Sequence, residues 1–176
     1  VLTPEQLESK ITSKTKALVL PYPSNPTGGI MLRQDLEKIA PIIKKHDLMV
    51  ISDEIYAELT FSGKSHISPA SIDGMWERTI TVNGFSKAFS MTGWRLGYAC
   101  GPKPIMDQIV KVHQYAIMSS PTTSQYAAIE AIRHGDEDIV KMREEYDRRR
   151  KYLVHRVKEM GLQCFEPFGA FYIFPS

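Results

Sequence analysis

Residues 16–22 read KALVLPY and residues 48–52 read LMVIS, and between them Leu36, Ile39, Ala40 and Ile43 recur at helical spacing. Each flanking run is short and apolar without polar alternation, the pattern of a buried strand. The middle segment predicts an amphipathic helix over Gln34–His46, with Pro41 as the residue that argues against its continuity. Strand, helix and strand joined by short links make the βαβ unit, which commits the chain to an α/β fold with a mostly parallel sheet. Runs without alternation further predict strands covered on both faces, as in a three-layer α/β/α arrangement.

The rest of the chain extends this unit in both directions. Thr3-Pro4-Glu5-Gln6 has the makings of a capping box with proline in the first turn, and Leu7 and Ile11 give the helix a short apolar face. Pro21, Pro23, Pro26, Gly28 and Gly29 turn the first strand into a loop. Residues 79–82 (TITV) and 96–100 (LGYAC) supply two more strands. Helices are predicted over Pro104–Met118, Thr122–His134 and Asp136–Met160, the last stopped by Gly161. Gln163–Phe165 and Ala170–Phe174 read as strands of a new element, so a domain change is placed inside the long helix, dividing 1–145 from 146–176. The chain opens on Val1 rather than methionine, and it reads as a segment of a longer protein.

Composition narrows the function. The 176 residues carry 22 Lys+Arg against 20 Asp+Glu, a balance that argues against a protein built to grip nucleic acid phosphates. No apolar run approaches the ~20 residues of a membrane span, and no secretory signal opens the chain. Cys100 and Cys164 are too few and too far apart for a disulfide scaffold or a cysteine metal site, so the default compartment is the reducing cytoplasm. The five histidines show no metal-ligand spacing, and most of them read as surface residues. Arg148-Arg149-Arg150-Lys151, with acidic residues at 144, 145 and 147, reads as a solvated helix face.

Polar residues gather where strands end. Asn25 follows the first strand, Asp53, Glu54 and Tyr56 follow the second, and Ser86 and Lys87 follow the third. Ligands in open α/β sheets bind outside the carboxyl ends of the strands, so these clusters can converge. Each also has a plainer reading: Asn-Pro and a strand-end aspartate form turns, a tyrosine fills core, and a lysine stem covers apolar surface. Lys87 stands among small and apolar residues, where a lysine amine can attack a carbonyl. Gly84-Phe85-Ser86-Lys87-Ala88 also matches G-x-S-x-small, a nucleophile elbow that would make Ser86 a hydrolase nucleophile. Its fifth residue is alanine, and Thr92-Gly93 interrupts the helix that such an elbow feeds.

Three blocks taken together resemble the class I/II aminotransferases, fold-type I enzymes dependent on pyridoxal 5′-phosphate (PLP). They are Ser24-Asn25-Pro26-Thr27-Gly28, Ser52-Asp53-Glu54-Ile55-Tyr56, and the run from Gly84 through Lys87 and Arg95 to Gly97. The late Gly169-Ala170-Phe171-Tyr172 segment belongs to the same resemblance, which covers essentially the whole chain. It implies that Lys87 bonds the cofactor and later shuttles a proton, and that Asp53 pairs with the pyridine nitrogen. It implies that Asn25 and Tyr56 hydrogen-bond the phenolic oxygen, and that Arg95 holds the phosphate with help from the Ser86 hydroxyl. Many relatives carry serine or threonine where Gly84 stands, which puts more weight on Arg95.

The implied reaction moves an amino group between an L-amino acid and a 2-oxo acid. The branch resembled contains aspartate, aromatic and N-acetyl-diaminopimelate aminotransferases, with the aspartate or aromatic type expected. Alternatives on the same fold are a PLP-dependent C–S lyase or synthase, whose lyase members usually carry histidine where Tyr56 stands, or an inactive fragment of the enzyme. The resemblance also implies a homodimer, with residues 118–124 near its interface. It places the 1–145 portion as the second half of the PLP-binding large domain and 146–176 as an interdomain helix with the start of the small domain.

Overall fold

Thr3 caps the first helix in the computed structural model, which describes residues 1–176: its side chain accepts from the Gln6 N–H, and the Gln6 side chain accepts from the Thr3 N–H. This capping box opens α1 (Pro4–Lys10). The chain continues through β1 (Ala17–Pro21), α2 (Arg33–Lys45), β2 (Met49–Asp53), β3 (Thr79–Gly84) and β4 (Gly97–Cys100). Three helices follow: α3 (Lys103–Ala116), α4 (Thr122–His134) and α5 (Asp136–Glu159). Pro41 does not break α2. It lies on the exposed side of the helix, where water can satisfy the carbonyl that its missing N–H leaves free.

The sheet order is β1-β2-β3-β4, with the first three strands parallel and β4 antiparallel to β3. The register sets Pro21, Asp53, Val82 and Ala99 side by side at one end. Leu20 and Val50 face α2, and with Leu36, Ile39, Ile43 and Met75 they form the main core. The mostly parallel sheet with helices around it is the α/β fold expected. Val19 is 58% exposed and Val82 38%, so the sheet face away from α2 is the less covered one in these residues.

The two strands expected after α5 do not form. Gln163 and Ser176 exchange a pair of backbone hydrogen bonds, Gly169 makes an isolated bridge to Thr60, and Ala170 sits in the left-handed region at φ 56°. With one contact at each end and a left-handed residue between them, the extended run cannot build a ladder. No helix is long and apolar enough to cross a membrane.

Candidate active site

Parallel strands send their carboxyl ends to one edge, and the loops there hold the candidate residues. Asp53 is the last residue of β2, Lys87 lies three residues past β3, and Asn25 lies in the loop after β1. Because β4 runs antiparallel, its amino end arrives at the same edge, with Gly97 opposite Gly84. Arg95, two residues before β4, is thereby brought to that edge as well.

The loop after β1 is fastened to the C-terminal segment. The Gly28 carbonyl accepts from the Phe168 and Gly169 N–H groups, each at 2.9 Å. Gly28 has φ +70°, and a Cβ there would come within 2.4 Å of Pro167 Cβ, so only glycine permits this approach. The segment after β2 is fastened to the same stretch: Ala170 N–H donates to Leu59 O and Phe61 N–H to Phe168 O, both at 2.9 Å. Tyr56, Leu59, Phe61 and Ala170 form a small core of their own.

These fastenings bring three polar groups together. The Tyr56 and Tyr172 hydroxyls are 2.9 Å apart, and Asn25 Nδ2 donates to the Tyr172 hydroxyl at 3.3 Å. Burial pushes the Tyr56 phenol well above its ordinary value; the Tyr172 hydroxyl and the Asp53 charge add to this, and Asn25 opposes it. Tyr56 is therefore a neutral hydroxyl that can donate or accept. Asp53 Oδ1 accepts from the Ile55 N–H at 3.2 Å.

Lys87 sits on a tight turn. Phe85, Ala88 and Met91 are buried, with Phe85 and Met91 packed against Ala128 of α4, and the Phe85 carbonyl accepts from the Met91 N–H at 3.2 Å. The Thr92 hydroxyl donates to Ser86 O at 3.0 Å, so Ser86 is held by its backbone. The half-buried Lys87 extends its Nζ to 5.9 Å from the Tyr56 ring centroid and 5.7 Å from that of Phe171. Those distances suit attraction between an ammonium and the two π faces.

Gly84 has a structural reason to be glycine. A Cβ there would lie 3.0 Å from Gly97 Cα and from Leu96 O, in the close approach of β3 to β4. Arg95 has a left-handed backbone at φ 54° and is exposed. One of its guanidinium N–H groups donates to Thr92 O at 2.9 Å. Neither Asp53, Lys87 nor Arg95 forms an ion pair with another residue of the chain.

Asn25, Tyr56 and Lys87 are thus linked through Tyr172 and Phe171, and the Asp53 charge is felt at Tyr56. Ser86 and Arg95 lie on the same edge without a side-chain hydrogen bond or ion pair to the others. Sequence reasoning missed the contacts of Phe171 and Tyr172 with Lys87, Tyr56 and Asn25, although the Gly169–Tyr172 quartet was visible. It missed His66, which is half-buried against Glu54 rather than on the surface. It also misread Arg150: Arg148, Arg149 and Lys151 are solvated, but the Arg150 side chain is 5% exposed, bonded to Asp147, Glu166, Ser62 and Pro167 O. No group of side chains suits a metal ion. A groove of about 850 Å³ lies between β3–β4 and the helices α3–α5, lined by Tyr98, Met118 and Ile132 among others; Asn25, Asp53, Tyr56, Lys87 and Arg95 are not among its lining residues.

A family profile described as "Aminotransferase class I and II" matches residues 2–176. An aspartate aminotransferase from Pyrococcus abyssi is 49% identical over 176 residues, covering 99% of this chain and 45% of that protein. Aromatic-amino-acid aminotransferase 2 from Thermococcus litoralis is 46% identical over 176 residues, again covering 99% and 45%. Among solved structures, an aromatic aminotransferase from Pyrococcus horikoshii superposes with TM-score 0.96 at 48% identity, covering 99% of this chain and 48% of that one. The chain therefore spans about half the length of the relatives it matches.

Proposed function

Because the chain belongs to the class I and II aminotransferases, we propose that it carries the cofactor-binding half of a PLP-dependent transaminase, moving an amino group between an L-amino acid and a 2-oxo acid. Aspartate and aromatic amino acids are the proposed substrate types, after the relatives of each kind. The observation that carries the reading is the convergence of Asn25, Asp53, Tyr56 and Lys87 at the carboxyl edge of the sheet. We extend the proposal to a cytoplasmic homodimer, with 1–145 in the large domain and 146–176 leading into a smaller one.

The donor set suits PLP. A ring nitrogen calls for a carboxylate, a phenolic oxygen for neutral donors, a phosphate for a guanidinium, and an aldehyde for an amine. Asp53, the Asn25–Tyr56 pair, Arg95 and Lys87 supply one of each, and Asp53, Lys87 and Arg95 have no competing ion pair. Bound, the cofactor serves as an electron sink for the charge left when the substrate loses its α-proton.

The chain's own groups divide the remaining work. Asp53 holds a proton on the ring nitrogen by a charge-assisted hydrogen bond. Asn25 and Tyr56 orient the ring through its oxygen, with the Tyr56 hydroxyl kept neutral by burial. Arg95 presents a planar fork to the phosphate, and the Ser86 hydroxyl adds a donor. Lys87 Nζ holds the cofactor before substrate arrives and afterwards moves the proton at the substrate α-carbon. The Tyr56 and Phe171 rings shield that amine from water on two sides.

The test is cofactor attachment. The protein, in the form its gene encodes, is mixed with PLP, reduced with borohydride and digested, and the modified lysine is located by mass. Modification concentrated on Lys87 is expected, together with 2-oxo acid formation from aspartate or an aromatic amino acid. Modification scattered over surface lysines in that protein overturns the reading.

A further inference from the structure

Asp53 ends β2 and Tyr56 stands three residues on, and of the two residues between them Glu54 is a buried carboxylate with no part in the chemistry above. Ser52 and Glu54 are buried while Asp53 between them is half-buried, because successive strand side chains point to opposite faces. Both Glu54 oxygens are occupied. Oε1 accepts from the Ser68 hydroxyl at 2.6 Å and from the Thr81 hydroxyl at 3.4 Å, and Oε2 accepts from His66 Nε2 at 2.9 Å. The Glu54 and His66 side chains are 6% and 13% exposed. The Glu54 N–H donates to Val82 O at 2.8 Å, carrying the β2–β3 pairing one residue past the strand.

We propose that Glu54, clamped by His66 and Ser68, is a positioning residue for the cofactor site: it fixes the backbone from which Asp53 and Tyr56 are presented. This rests on the PLP reading given above. The geometry has the required form. Residues 55–68 leave β2, carry Tyr56, touch the C-terminal segment at Leu59–Phe61, and return to the sheet through His66 and Ser68. Glu54 closes the base of that excursion by bonding its return to its departure. A charge-assisted hydrogen bond in a water-poor setting holds such a closure more firmly than a neutral one. Hydrogen bonds to the Glu54 carboxylate also keep it ionised despite its burial, so it stays acceptor-only and keeps all three donors. With the base closed, Asp53 and the Tyr56 ring keep a fixed relation to Lys87. With it open, Tyr56 remains tethered to Tyr172 through its side chain, while Asp53 keeps only its backbone pairing with β1 and β3 and the Ile55 N–H, and the turn that follows it is freed.

The experiment compares Glu54→Ala, Glu54→Gln and Ser68→Ala with Ile43→Val, a conservative change in the main core away from the site. Hydrogen exchange on the ligand-free protein is expected to quicken at least tenfold at the amides of residues 53–56 in Glu54→Ala, and not in Ile43→Val. PLP dissociation constants, read from the absorbance of the bound cofactor, are expected to rise about tenfold in Glu54→Ala, the lower end of the loss found when residues that orient metal ligands are removed. Glu54→Gln keeps one acceptor oxygen and should recover part of that loss; Ser68→Ala should show a smaller rise. A merely structural role would speed exchange across the chain in proportion to lost stability and leave the affinity of folded protein unchanged, which would overturn the proposal. If Glu54→Ala does not fold, unchanged exchange and affinity in both Glu54→Gln and Ser68→Ala overturn it equally. Failure of the wild type to attach PLP at Lys87 would overturn the functional reading instead, and the ligand-free exchange data would still decide the positioning.

Discussion

Arg150→Ala removes a buried cation from the point where α5 meets two other segments. The guanidinium bonds Asp147 Oδ1 at 2.8 Å through Nε and at 2.7 Å through Nη2, the Ser62 hydroxyl at 3.0 Å, Pro167 O at 3.2 Å and the Glu166 carboxylate, and it lies 5.5 Å from the Phe61 ring centroid. Breaking a buried pair by deleting one partner costs about 3–5 kcal/mol. The lower end applies here, because Asp147 keeps Lys151 at 2.6 Å and Glu166 is 39% exposed, so both carboxylates find other partners. Loss of the contact with Phe61 adds roughly 0.5–1 kcal/mol. The total of about 3–4 kcal/mol, divided by a urea m-value of about 2 kcal/mol/M, predicts a midpoint lowered by roughly 1.5–2 M. Arg150→Lys keeps the charge but not the fork, and should fall about midway. Urea unfolding followed by far-ultraviolet circular dichroism measures all three proteins. An Arg150→Ala midpoint within about 0.3 M of the wild type, under ~1 kcal/mol, would refute the reading of Arg150 as a structural hub.

Gly28→Ala should destabilise by about 2 kcal/mol or more and loosen Asn25, since the new Cβ meets Pro167 Cβ at 2.4 Å on a backbone at φ +70°; a thermal unfolding midpoint equal to wild type would contradict the fastening. Glu54 is held below its ordinary value in the folded chain by hydrogen bonds from His66 and Ser68 that outweigh burial, so the unfolded chain takes up the proton first. Its contribution to stability is therefore complete above about pH 4.3 and is lost as pH falls through the lower folded value, a slope that Glu54→Gln should flatten in denaturation measured from pH 6 to 3. Asp53→Ala should lose far more turnover than PLP affinity, measured by steady-state kinetics beside cofactor titration; undiminished turnover would contradict its place beside the ring nitrogen.

The scaffold was legible in the sequence wherever a local rule decided it. The capping box at Thr3, the apolar spacing of α2 and the βαβ order all follow from neighbours a few residues apart, and each is present. That Asn25, Asp53, Tyr56 and Lys87 gather at one edge was legible because parallel strands send their carboxyl ends there; their roles toward a cofactor belong to the proposal. What escaped depends on partners distant in sequence. Arg150 looks like its neighbours Arg148 and Arg149 until Glu166 and Ser62 fold against it. His66 has no local signal, since its partner Glu54 stands twelve residues earlier. The absence of regular strands after α5 marks the same boundary: the extended residues there pair only through the Gln163–Ser176 exchange and the Gly169–Thr60 bridge, partners that no local pattern announces.

That absence also explains how the site is completed. A regular strand over residues 170–174 would point Phe171 and Tyr172 to opposite faces, and only one of them could reach the sheet edge. Instead Ala170 turns left-handed between the Leu59 carbonyl and the Gly28 fastening, and both following rings stay beside Tyr56: Phe171 at 5.2 Å and Tyr172 at 6.0 Å between centroids. One covers the Lys87 amine and the other hydrogen-bonds Tyr56 and Asn25. The irregular backbone is therefore the feature that lets one short segment serve the lysine and the phenol together, and Gly28 and Gly169 are the small residues that let it come close enough to do so.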